Sequence, residues 1–263
     1  MGLALLFLPF TGVMARVIER VLPDRPEGEE GEPHYRPLFL DKGMLDTPVL
    51  ALNLAREEIL RMGEKVREMA IRIIEPFVKG DLGGLDELHT MEEEIDVLDE
   101  EVSAYLLDIM GNDLNEEQAA EAYLMMHVTK QLENIADIVD EDLRPLALRM
   151  VNEGVKFSES GRKEVVAYHV KVSKQISRAL TAFREGSLEK AKRMTTKQAR
   201  YVALEGESRQ AHFERIRNAV EESVATSEIH LELMDCMRRI NSYTANVARA
   251  MLAQSPRPEP KEA

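Results

Sequence analysis

Lys130-Gln-Leu-Glu133-Asn-Ile-Ala-Asp137-Ile-Val-Asp140 lies inside a long helix-patterned segment. Glu133 and Asp137 are four residues apart and Asp140 follows at three, so on a helix all three carboxylates share one face. Stacked like charges repel by a few tenths of a kcal/mol per pair. Such a stripe calls either for free solvation or for a cation. Upstream, Met91-Glu92-Glu-Glu-Ile-Asp96-Val-Leu-Asp99 repeats the same four-then-three spacing. Two such helices packed side by side would offer an all-oxygen site for a hard metal ion. With 48 acidic residues in 263, chance pairs at spacing four number about nine. The spacing alone is therefore also the pattern of a solvated face.

Helical patterning extends outward from these stripes in both directions. A segment over 48–78 places Leu52, Ala55, Ile59, Met62, Val66, Met69, Ile73 and Phe77 at alternating steps of three and four. The next, over 84–110, does the same with Leu88, Met91, Ile95, Leu98, Val102, Tyr105 and Ile109. The third, over 115–151, opens on Asn115-Glu-Glu as a cap and acidic first turn. After a short break from Asn152 to Gly161 come three more helices. They carry Val165 to Phe183, then Leu188 to Ala219, then Ile229 to Met251. Steps averaging about 3.5 residues predict long helices with coiled-coil-like packing in a bundle. Two sets of three helices predict a duplicated three-helix bundle, with repeats over 48–152 and 153–253.

Composition agrees with an all-α class. Hydrophobic residues make up 44%, aromatics only 5%, and Pro and Gly cluster instead of punctuating the chain as in a sandwich or barrel. The lone Cys236 excludes an internal disulfide and falls beside Met234 and Met237, as a core residue would. A net charge of −14 argues against nucleic acid as a partner. Charge is divided unevenly. Residues 48–152 carry 9 Lys and Arg against 25 Asp and Glu, a balance of −16, whereas 153–253 carry 18 against 13, a balance of +5. The first half can attract cations and the second anions or an acidic surface.

The opening run to Ala15 is apolar and is followed by Arg16, Arg20 and Arg25. It is shorter than the about 20 residues that span a bilayer, and no positive residues precede it as in a secretory signal. Residues 1–22 are read as the cytoplasmic end of a membrane helix, with the arginines on the inner side. Residues 23–47, with four prolines and a Glu-rich run, read as a solvated tether. Leu38-Phe39-Leu40 and Met44-Leu45 suggest that its second part docks on an apolar surface. Residues 254–263 are disordered by composition.

These residues resemble the PhoU family, whose two three-helix repeats each carry Glu/Asp-x-x-x-Asp motifs on the second and third helices. Met91-Glu-Glu-Glu-Ile-Asp96 looks like the first motif and Leu132-Glu-Asn-Ile-Ala-Asp-Ile-Val-Asp140 like the second. The resemblance implies metal ligation by Glu92, Asp96, Glu133 and Asp137, with Asp99 and Asp140 as neighbours. The second repeat departs from the pattern. Arg238 and Ser242 stand where Glu and Asp are expected, and Leu204-Glu205-Gly-Glu207-Ser208 has no clean acidic pair. Arg238 and Arg239 are expected to form salt bridges to the acidic half in preference to binding an anion. The start, the linker ending Asp46-Thr47-Pro48-Val49-Leu50-Ala51-Leu52 and the Arg-Arg-Ile-Asn-Ser segment also resemble the C-terminal part of bacterial Na/Pi cotransporters.

The resemblance implies a cytosolic regulatory domain of a sodium-dependent phosphate transporter at the inner (cell) membrane. The alternative is a free-standing metal-binding adaptor that regulates phosphate uptake and signalling. The implied partners are the membrane, the transporter's membrane domain or a phosphate-signalling protein, and a second copy in a homodimer. Oxygen ligands favour Mg, Mn, Ca or Fe. A dimetal enzyme of the ferritin type is not expected, because none of the six histidines has Glu three residues before it. Asp86-Glu-Leu-His89, the nearest approach, is expected to be a surface turn.

Overall fold

The computed structural model describes residues 35–254. The expected membrane stump 1–22, the linker up to residue 34 and the tail beyond Gln254 lie outside the described residues. Among those described, the protein is all-helical, and no helix is long and apolar enough to cross a membrane.

The helices are α1 (Pro48–Arg72), α2 (Ile74–Lys79), α3 (Leu85–Met110), α4 (Glu116–Asp137), α5 (Arg144–Asn152), α6 (Glu159–Arg184), α7 (Leu188–Arg217), α8 (Glu221–Ala225) and α9 (Ser227–Ala253). A π-helical turn, Ile138–Leu143, joins α4 to α5. α1, α3 and α4 pack on one another as one three-helix set, and α6, α7 and α9 as the other. The two sets meet through α1 against α6 and α4 against α9, which leaves α3 and α7 on the outside. The six long helices are thus those expected, but two are interrupted and a short helix, α8, precedes the last.

Proline explains both interruptions. A proline inside a helix removes one ladder hydrogen bond, and its ring crowds the carbonyl four residues back. Pro76 crowds Arg72, and α1 stops there, with Ile73 separating it from α2. Pro145 crowds Glu141, and the ladder widens into the π turn just before it. Elsewhere the termini use ordinary devices. Asn115 and Gln118 form a reciprocal capping box at the start of α4. Gly186, at φ 59°, allows the chain to leave α6 with Ser187 N–H donating to the Ala182 carbonyl.

The core follows the apolar stripes, with Ile59, Met62, Val66, Met69, Ile95, Leu98, Val102 and Ile109 inaccessible to solvent. Cys236 is buried among the methionines, as expected, and its thiol is pushed up to about 11, first by burial. The α1–α6 contact is close at Gly63, where a Cβ would lie 2.3 Å from Leu180 Cδ2. Across the same interface His169 Nε2 lies 2.7 Å from the Ala70 carbonyl oxygen. At α4–α9, Asn246 donates to Gln131 Oε1 at 2.8 Å.

The segment before α1 docks differently from the apolar contact expected. Leu38 is 72% exposed and Phe39 is exposed too. What holds them is polar: the Leu38 and Phe39 N–H groups both donate to Glu58 Oε2 at 2.7 Å. Glu58 is wholly buried and its other oxygen accepts from Arg61 Nε at 2.6 Å. Tyr105 O–H adds a hydrogen bond to the Asp41 carbonyl at 2.8 Å.

Candidate metal centre

Residues 89, 92, 96 and 99 follow at steps of three, four and three along α3, so they form one stripe. α4 and the π turn supply the facing stripe of Glu133, Asp137 and Asp140. The structure brings ligand atoms of Glu92, Asp96 and Asp137 within 4.8 Å of one another. Within the same limit, Glu92 also meets His89 and Asp140. Glu92 is therefore shared by two overlapping groups.

The stripe is neutralised at its ends and open in its middle. At one end Lys130 donates to Glu133 Oε1 at 2.5 Å and lies 4.0 Å from Asp99. At the other, Arg144 donates to both oxygens of the buried Asp140, at 2.6 and 3.3 Å. His89 Nδ1 sits 3.1 Å from Asp140 Oδ2. Among the described residues no basic side chain forms an ion pair with Glu92, Asp96 or Asp137.

The energetic consequence is visible in their proton affinities. Burial, then the charges of Asp96, Asp140 and Asp137, push Glu92 up to about 7. Burial, then Glu133, Glu141 and Asp96, push Asp137 up to about 6. Asp96 and Asp99 are raised as well, burial first in each case. Two carboxylate oxygens, Asp99 Oδ1 and Glu133 Oε2, are buried without a hydrogen-bond partner. Carboxylates whose proton affinity is raised by burial and by one another, beside unpartnered oxygens, are of the chemistry that could serve a hard divalent ion as donors. One imidazole nitrogen stands beside them.

All six acids named from the sequence thus lie on one surface, in distinct roles. Glu92, Asp96 and Asp137 converge, Glu133 and Asp99 share Lys130, and Asp140 is held by Arg144 and His89. His89 lies within the first turns of α3, not in a surface turn. The signal for it was available: it stands three residues before Glu92, in phase with the stripe.

In the second repeat, Arg238 donates to Asp235 Oδ1 at 2.6 Å and Glu205 accepts from Arg209. Arg239 pairs with Asp142 of the first repeat. Arg239 therefore makes the expected bridge to the acidic half, whereas Arg238 pairs within its own helix instead.

Comparison with known proteins agrees with the fold. The structure has the PhoU fold. It matches PhoU from Pseudomonas aeruginosa with a TM-score of 0.71 at 16% identity, over 77% of this chain and 96% of that one. It matches the phosphate transport system regulatory protein PhoU from Streptococcus pneumoniae with a TM-score of 0.70 at 13% identity, over 79% and 96%. The PhoU domain family matches residues 59–141, a range that contains every residue of the acidic stripes.

A more particular relationship is to the protein named "Putative inorganic phosphate export protein YjbB". Over 250 residues the chain is 30% identical to it in Escherichia coli K12 and 28% identical in Salmonella typhimurium LT2, covering 95% of this chain. The chain spans 45% of these relatives, about half their length.

Proposed function

We propose that this chain is a regulatory helical module of a sodium-dependent phosphate transporter at the cell membrane, and that a divalent cation held between α3 and α4 sets its state. What supports the reading most is the convergence of Glu92, Asp96 and Asp137 inside the part of the chain that matches the PhoU domain. The relatives' name supplies the phosphate and the membrane traffic.

Glu92, Asp96 and Asp137 would hold the ion, with His89 as a nitrogen donor. The ion supplies positive charge where like charges otherwise face one another. The chain does the rest. Glu133 and Asp99 stay with Lys130, and Asp140 stays with Arg144, so neither end of the stripe collapses when the middle is empty. A bound ion would tie α3 to the last turn of α4, which leads through the π turn and α5 toward the second repeat. A module can bias a transporter only by binding its conformations unequally.

The test is phosphate flux in cells carrying the intact protein, a version without residues 48–253, and the variant Glu92→Gln with Asp137→Asn. Deletion is expected to change the rate or the phosphate dependence of a sodium-coupled flux, and the double variant to reproduce part of that change. Identical flux with and without residues 48–253 removes the regulatory reading. A flux indifferent to sodium removes the symporter.

A further inference from the structure

The strongest positive surface lies in the second repeat, away from the acidic stripes. Residues 171–200 hold 9 Lys and Arg against 2 Asp and Glu, in a chain of net charge −14. The hairpin of α6 and α7 folds this stretch onto itself. On α7, Lys190, Arg193 and Lys197 follow at steps of three and four, and on α6 Ser177, Arg178 and Thr181 face them across a groove of about 350 Å³. The buried side chain of Met194 forms its floor.

Some of these cations are neutralised: Lys190 pairs with Glu185, Arg193 with Glu189, and Arg184, at the end of α6, with Glu64. Two are not. Among the described residues no carboxylate pairs with Lys197 or Arg178. Arg178 is nonetheless fixed in place, donating to Gln175 Oε1 and to the hydroxyl of the buried Tyr201, each at 2.9 Å. A guanidinium oriented by neutral partners keeps its full charge and part of its donor fork for something else. Lys171, Lys174 and Arg200 extend the positive field beyond the end of the groove farthest from the α6–α7 turn.

From this geometry we infer that the α6–α7 groove binds a small molecule bearing an oligophosphate chain, held by Arg178, Arg193 and Lys197. Cations from both helices line one groove, and an oligophosphate presents several anionic groups to them where orthophosphate presents one. An extended membrane surface has no use for a concave site with an apolar floor, whereas an organic phosphate uses floor and rim together. The inference is independent of the proposed cation site, because the two share no residue and lie in different repeats.

The experiment is calorimetric titration of the full chain at low ionic strength with tripolyphosphate, ATP and orthophosphate as probes, and a sedimentation assay with phosphatidylglycerol vesicles. Saturable binding of one tripolyphosphate or ATP per chain is expected, at least tenfold tighter than orthophosphate and weakening as salt is raised. Arg193→Glu with Lys197→Glu should reduce it at least tenfold. Lys197→Ala should reduce it severalfold, and far-UV circular dichroism should show both variants folded. Lys163→Glu, a charge reversal on α6 outside the groove, should bind as wild type does. Binding to vesicles alone, no saturable heat with either oligophosphate, or an equal loss in Lys163→Glu would each overturn the proposal.

Discussion

Removing the charge of Glu92 should strengthen the metal-free protein. In the folded state its carboxyl is raised from 4.5 to about 7, first by burial and then by Asp96, Asp140 and Asp137. Below pH 4.5 the group is protonated folded or unfolded and costs nothing. Between 4.5 and about 7 the folded state holds the proton more tightly, so stability falls as pH rises, and above that range the full penalty applies. Each tenfold change in proton affinity is worth about 1.4 kcal/mol, so the unscreened penalty is roughly 3 kcal/mol. Glu92 is half-buried and water screens it, which reduces the figure by half or more, to about 1–1.5 kcal/mol. In a helical domain of this size 1 kcal/mol moves Tm by about 2–4 °C. Thermal unfolding followed by circular dichroism in EDTA should therefore show Glu92→Gln more stable than wild type by about 2–6 °C at pH 8 and no more stable at pH 4.5. Equal Tm values at pH 8, or the same gain at both pH values, would refute the account of an uncompensated charge.

Cation binding must displace protons from Glu92 and Asp137, so Mn²⁺ affinity measured by calorimetry should be about tenfold weaker at pH 6 than at pH 8. Glu133→Ala with Asp137→Ala should lower that affinity with helix content unchanged, and an affinity independent of pH would contradict proton displacement. Gly63→Val drives a branched side chain into Leu180 at the α1–α6 contact and should cost about 2 kcal/mol in urea unfolding; a neutral result would mean that the two helices can separate at no cost. Glu58→Ala strands the Leu38 and Phe39 N–H groups and should cost about 2–3 kcal/mol, with faster amide exchange at residues 38 and 39 as the local readout.

The helical class and the two acidic stripes were legible in the sequence because both depend on periodicity, and a bundle helix keeps its phase for many turns. Tyr105, Ile109 and Val102 fall inside because Ile95 and Leu98 do. What periodicity could not convey is where the phase breaks. Pro76 and Pro145 were the available marks, and each acts on the carbonyl four residues before it, so the break appears upstream of the residue that causes it. The π turn follows from this, and it moves Asp140 out of the regular α phase that its spacing from Asp137 suggested. His89 was legible in principle from its phase with Glu92, but a search for Glu three residues before a histidine looks in the wrong direction. The docking of residues 38–45 was hidden because apolar letters suggested apolar contact, while the anchor is the carboxylate of Glu58, a residue that sequence patterning assigns to the surface.

The two repeats differ in something more local than net charge. On a helix, a carboxylate is neutralised most readily by a basic residue three or four positions away. Glu205 has Arg209 and Asp235 has Arg238, so these acids of the second repeat are paired within their own helix. Glu133 has Lys130 and Asp140 has Arg144, which closes the ends of the first-repeat stripe in the same way. In the middle the rule fails. Asp96 has Glu92, Glu93, Asp99 and Glu100 at those positions, and Asp137 has Asn134, Glu133, Asp140 and Glu141. Glu92 has only His89 and Asp96 among polar neighbours at that reach. No basic side chain three or four positions away pairs with them, and the more distant Lys130 only partly offsets the charge, so the rest must come as protons, which the raised affinities of Glu92 and Asp137 register, or as a cation from solution. The same arrangement that makes these residues costly in the metal-free protein would therefore make the site responsive to divalent ions.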